Sequence, residues 1–159
     1  LSEDIVALIE RAHAAHDPQR LVALVPYAQF LGMAVDEDDE GPLFRLPYRA
    51  SHIGNPHLPA LHGGLIGAFM ESAAILAPLW RQEALRLPKV VDFAIDYLRP
   101  GWPMDLYARC AIRRQGKRVA NVGITAWQWS ESSQHRLIAT ARSHFLVANA
   151  NAPNGCQGR

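Results

Sequence analysis

Leu65-Ile-Gly-Ala-Phe-Met-Glu-Ser-Ala-Ala-Ile-Leu-Ala-Pro-Leu-Trp80 is apolar throughout except at Glu71 and Ser72. A helix without a polar face is one that its fold surrounds. A carboxylate in such a helix is unfavourable unless it is partnered or used, so Glu71 is a candidate functional acid. His62-Gly63-Gly64 opens the stretch. Bare backbone N–H groups at a helix start, where the dipole favours negative charge, suit an oxyanion. The helix is expected from Gly63 to the low eighties, with Pro78 kinking or ending it.

Outward from this helix the pattern changes. On the N-terminal side, Ser2 is a candidate cap. Ile5, Leu8, Ile9 and Ala12 recur at helical spacing until Asp17-Pro18. Gln29 to Val35 reads as a strand, Asp36 to Gly41 as an acidic turn, and Pro42 to Ala50 as the returning strand. Ser51 to Ala60, with Asn55-Pro56 and Pro59, reads as a loop. On the C-terminal side, Val91, Phe93, Ile95 and Tyr97 alternate with polar or small residues. Met104 to Cys110 does the same. Gln115-Gly116 marks a hairpin, Val119 to Trp129 returns, Ser130 to His135 turns, and Leu137 to Val147 is the last strand. The expected architecture is α+β, a long antiparallel sheet wrapped around one central apolar helix. The chain divides into an N-terminal helix and connector (1–26), the main domain (27–148) and a polar tail expected to be disordered (149–159).

The 159 residues fit one domain, and a formal net charge of +1 argues against nucleic acid or an anionic membrane as a global partner. The two cysteines, Cys110 and Cys156, form no metal-ligand spacing or disulfide framework. No metal or redox cofactor is expected, and a cytoplasmic location is the default expectation. No segment reads as a targeting peptide or a membrane span.

Gly63 and Glu71 lie eight residues apart, which is roughly 12 Å along a helix. Their directions differ by about 80°, and His62 lies about 180° from Glu71. A helix-start donor and this acid therefore do not meet on one small group within a single chain. In a two-fold dimer they can meet, with the Glu71 of one chain facing the Gly63 turn of the other.

His62-Gly63-Gly64 with Glu71 nine residues after the histidine, Asn55-Pro56 upstream, Asp96 to Pro100, and Arg114 to Val119 followed by Ala126-Trp127 together resemble one family. They look like the hotdog-fold acyl-CoA thioesterases of the phenylacetate-degradation (PaaI-like) type, over roughly Tyr27 to Ala148. The resemblance implies hydrolysis of an acyl-CoA thioester by a homodimer or dimer of dimers. It implies Gly63 as oxyanion donor, Glu71 as nucleophile or general base, Asn55 as the group orienting water or the carbonyl, and His62 as the brace of the turn. Gly64 belongs to the same turn. Val90 stands where many relatives have a Ser or Thr hydroxyl. Arg99, Arg113, Arg114, Lys117 and Arg118 form a candidate site for the phosphates of coenzyme A.

Two other readings fit parts of the sequence. His57, fourteen residues before Glu71, resembles the histidine of hotdog 3-hydroxyacyl thioester dehydratases, although the residues around it lack their pattern. A non-catalytic acyl-CoA binding module would keep the pocket and lack turnover.

Overall fold

A computed structural model describes residues 2–81, 87–116, 119–129 and 134–146. Helix α1 (Ser2–Ala14) is followed by a 3-10 helix, Pro18–Leu24, whose first turn is capped by Asp17 Oδ1 accepting from Gln19 N–H at 3.2 Å. Helix α2 (Pro26–Leu31) comes next. The strand expected over Gln29 to Val35 is thus helical in its first half. Pro26 presets the first-turn φ, and Gly32, at φ 69°, ends the helix in the left-handed region. Strand β1 runs only from Ala34 to Asp38.

The acidic run is correspondingly part strand. β1 pairs antiparallel with β2 (Gly41–Leu46), and Asp38 lies opposite Gly41. β2 stops at Leu46, short of the expected Ala50, and Ala50–His52 forms a 3-10 turn. The expected loop over 51–60 holds a small hairpin, β3 (Ile53–Asn55) with β4 (Ala60–Leu61). Helix α3 spans Gly63–Trp80 and carries through Pro78, which sits in its last turn. β5 (Lys89–Tyr97), β6 (Leu106–Gln115), β7 (Val119–Trp129) and β8 (His135–Leu146) complete the order. The polar tail, Cys156, and most of the turn between β7 and β8 lie outside the described residues.

The main sheet is antiparallel with the order β1-β2-β6-β7-β8-β5. Its inner face carries Phe44, Leu46, Leu106, Ala108, Val122, Ile124 and Phe145, and these pack on Ile66, Phe69, Met70, Leu76 and Leu79 of α3. Each of the larger of these side chains, Val, Leu, Ile, Phe or Met, taken fully out of water is worth about 1.5–3 kcal/mol. α1 and the 3-10 helix add Ile9, Ala12 and Leu21 to the same core. The helix is surrounded, as its composition requires. It has the length and apolar composition of a membrane span, yet two-thirds of it is buried inside the fold. Ser72, buried within it, donates to Ala68 O at 2.8 Å and so leaves no orphan hydroxyl.

β5 departs from simple alternation. A bulge between Val90 and Asp92 places Val90 opposite the buried Phe145 and Asp92 opposite His144. Val90, not Val91, therefore shares the inner face with Phe93, and Val91 is 59% exposed. β5 is also an edge. β8 covers one side of it, and among the described residues nothing covers the other.

Candidate active site

The turn that opens α3 is built by its neighbours. His62, extended at φ −63° and ψ 128°, is the N-cap, and its Nδ1 accepts from Gly64 N–H at 3.0 Å. Its own N–H donates to His52 O at 2.9 Å, and its carbonyl accepts from Leu65 and Ile66. Gly54 passes so close that a Cβ there would lie 2.7 Å from His62 Cα. From the other side, the Tyr97 hydroxyl donates to Gly63 O at 2.8 Å. The Gly63 N–H, at the first position of the helix, meets no acceptor among the described residues. The turn thus presents one fixed, free donor at the positive end of a five-turn helix.

Glu71 lies two turns on. It is half-buried, and among the described residues it has no hydrogen-bond or ion-pair partner. Beyond its first turn, where Gly63, Gly64 and Leu65 are all at least partly open, α3 is left partly open only at Ala68, Glu71 and Ile75. With Gly64 these residues fall at spacings of four, three and four and form one stripe along the helix. Gly67, one turn from Gly63, packs against Phe93 and Tyr97 of β5, so the stripe runs beside the uncovered edge of the sheet.

The other expected site residues are dispersed. Asn55 ends β3, and its Oδ1 accepts from His57 and Leu58 N–H at 3.0 and 3.3 Å, a local turn. His57 is exposed in that turn. Arg99 follows β5 at the Gly63 end of the sheet and donates to Leu137 O. Arg114 pairs with Asn121 at the opposite end of β6 and β7. Along the row that joins Arg114 to Asn121, His144 and Asp92, Arg99 is seven residues away, roughly 23 Å of strand. One chain therefore does not gather Arg99 and Arg114 into a single cluster. Lys117 and Arg118 lie outside the described residues. Cys110 is buried among apolar neighbours, which pushes its thiol pKa far up and keeps it out of nucleophilic chemistry. Tyr97 and His52 are the two turn-building residues that sequence reasoning did not single out for a role. Tyr97 stood within the quoted Asp96 to Pro100 motif, and its alternation on the inner face was the available signal.

A long antiparallel sheet curled around one central helix is the hotdog fold. Residues 58–132 match the family model described as "Thioesterase superfamily". The chain is 43% identical to a crystallised protein from Chromobacterium violaceum, covering 94% of this chain and 99% of that one with a TM-score of 0.69. It is 26% identical over 137 residues to the medium/long-chain acyl-CoA thioesterase YigI of Escherichia coli, covering 77% of this chain and 86% of that protein. The PaaI protein of the E. coli phenylacetic acid degradation operon shares the fold at 22% identity and a TM-score of 0.63, over 86% of this chain and 95% of that one. The chain is a hotdog-fold thioester hydrolase: residues 58–132 match the thioesterase superfamily model, and the fold is shared with PaaI.

Proposed function

We propose that the protein hydrolyses acyl-CoA thioesters at two equivalent sites, each shared between two protomers. The observation that carries this reading is the Glu71 carboxylate, half-buried and without a partner among the described residues, on the stripe that begins at the Gly63 turn. β5 is a nine-residue strand with one side unpaired among the described residues, which is a template for pairing with another strand. Antiparallel pairing of β5 with its copy generates a two-fold axis and sets two α3 helices side by side. Phe93 is the central residue of β5 and touches Gly67. Gly63 and Glu71 are displaced from Gly67 by four residues either way. An axis through this point brings the Glu71 of one protomer to the Gly63 turn of its partner. Arg114 lies on the row that meets β5 at Asp92, beside the axis, and Arg99 lies six residues beyond the axis, so the two arginines are separate candidates for the phosphates of coenzyme A.

In this site the Gly63 N–H receives the charge that develops on the thioester carbonyl oxygen. Glu71 either takes a proton from an attacking water or attacks the carbonyl itself. The tetrahedral intermediate collapses with cleavage of the C–S bond. If water attacks, the proton taken by Glu71 passes to the departing coenzyme A thiolate; if Glu71 attacks, water then cleaves the acyl-Glu71 anhydride, giving the carboxylic acid, the free carboxylate and the proton for the thiol. Asn55 retains its amide N–H groups for water or carbonyl, since its oxygen serves the local turn. Val90 gives no hydroxyl at the inner face, so water is oriented by Glu71 and Asn55 alone. No metal or redox group is needed for these steps. The name of the YigI relative supports coenzyme A as the thiol.

The test is release of free thiol from a panel of acyl-CoA esters by the wild-type protein and by Glu71→Gln. Turnover in the wild type and at least a hundredfold loss in the variant is the expected result. Full turnover in the variant overturns the role of Glu71. A change in enoyl absorbance without thiol release would favour the dehydratase reading, and tight binding without either would favour a binding module.

A further inference from the structure

A cavity of about 640 Å³ opens beside the first turn of α3. His62, Gly64 and Leu65 form one side, and Tyr27, Phe30 and Leu31 of α2 face them. Tyr27 and Phe30 stack with ring centroids 5.7 Å apart and stand 53% and 73% exposed, a large aromatic surface for a protein to leave open. Arg49, Ser51 and His52 close the remaining wall. Among the described residues no lining side chain carries a carboxylate, so each charged or neutral polar one offers a donor.

His52 is the informative one. It is 6% exposed, and its Nδ1 accepts from Arg49 N–H at 3.3 Å. That bond assigns the proton to Nε2. Burial first, and then the charge of Arg49, hold the imidazole below its usual pKa, so it is neutral near pH 7. Its Nε2–H makes no hydrogen bond among the described residues, and it stays open to solvent on the side of the cavity it lines. A donor left open on the wall of a ligand-sized cavity is a specificity element, because a ligand that covers it without accepting from it leaves it unmatched.

We propose that this cavity seats the acyl group of the substrate, with its hydrocarbon against Tyr27, Phe30 and Leu65 and an oxygen carried on that acyl group accepting from His52 Nε2–H. The inference rests on the thioesterase reading and narrows it to oxygenated acyl groups, in which the oxygen is a hydroxyl, an oxo group or a terminal carboxylate. A plain alkyl chain fills the same space but leaves the His52 donor unmatched, so the oxygenated chain is preferred by on the order of tenfold.

The experiment compares octanoyl-CoA with 3-hydroxyoctanoyl-CoA, 3-oxooctanoyl-CoA and 7-carboxyheptanoyl-CoA, all with eight-carbon acyl chains. It reads kcat/KM by thiol release and Kd of the matching non-hydrolysable thioethers by calorimetry. At least one oxygenated chain is expected to exceed octanoyl about tenfold in both readouts. His52→Phe is expected to bring that ratio near one, and His52→Gln, which keeps a donor, to restore part of it. Phe30→Ala is expected to weaken all four thioethers together. Equal Kd for all four in the wild type, a preference that survives in His52→Phe, or unchanged affinities in Phe30→Ala overturns the proposal. Retained thioether preference without any thiol release sinks the hydrolytic reading and leaves this assignment standing.

Discussion

The Tyr97 hydroxyl donates to the Gly63 carbonyl at 2.8 Å, tying the end of the edge strand to the first residue of the central helix. The carbonyl and the N–H of Gly63 belong to adjacent peptide planes, so a bond that holds the one restrains the aim of the other. Tyr97→Phe keeps the ring and deletes the tether. The expected result is a three- to tenfold fall in kcat, on the order of 1 kcal/mol, with KM little changed. A loss confined to KM would show that the tether serves binding instead.

The approach of Gly54 to His62 predicts a larger effect at a residue that touches no substrate. A Cβ at Gly54 would meet His62 Cα at 2.7 Å and its ring carbon at 2.8 Å. Because the first contact is backbone, the β3–β4 hairpin must shift, and His62 caps α3 from that hairpin. Gly54→Ala is expected to lower Tm by several degrees, roughly 1–3 kcal/mol, and to cut kcat more than tenfold. Thermal melts and thiol release read the two effects separately. A wild-type melt together with wild-type turnover would show that the hairpin yields freely.

Much of this was legible in sequence. The absence of a polar face from 65 to 80 required a surrounding sheet, and the spacing of Gly63 and Glu71 kept them apart within one chain. What sequence reasoning missed has physical causes. α2 is a six-residue helix, too short for periodicity to speak, and only Pro26 and Gly32 mark its ends. The β5 bulge shifts the inner face by one residue, which alternation from Val91 had not anticipated. The cavity wall joins Phe30, His52 and Leu65 from three separate elements, a set that only tertiary structure brings together. Arg99 and Arg114 read as one basic cluster by composition, but strand register separates them.

His52 makes stability depend on pH with a definite sign. Its folded pKa lies below the ordinary histidine value because burial and Arg49 disfavour the charged form. The unfolded chain therefore binds more protons in the window below about pH 6.5. Its contribution is whole above that window and is lost as pH falls through it. The Tm of the wild type is expected to drop between pH 7 and pH 5 more steeply than that of His52→Gln. Parallel Tm profiles for the two proteins would place the acid sensitivity elsewhere.

A shared site has a signature that no single-chain site can imitate. Glu71→Gln removes the acid and keeps the glycine turn. Gly63→Val keeps the acid and crowds the turn, since even a Cβ at residue 63 lies 3.3 Å from the Tyr97 ring. Each homodimer carries the same defect in both sites and is expected to be nearly inactive. Co-refolding equal amounts makes half of the dimers mixed, and a two-fold arrangement puts both defects in one site of each mixed dimer and none in the other. Activity is then expected to recover to about a quarter of the wild-type level. If each chain instead completed its own site, every site would carry one lesion and mixing would restore nothing. Analytical ultracentrifugation of the mixture confirms that dimers have exchanged, so a flat result after verified exchange rejects the shared site and not merely the mixing.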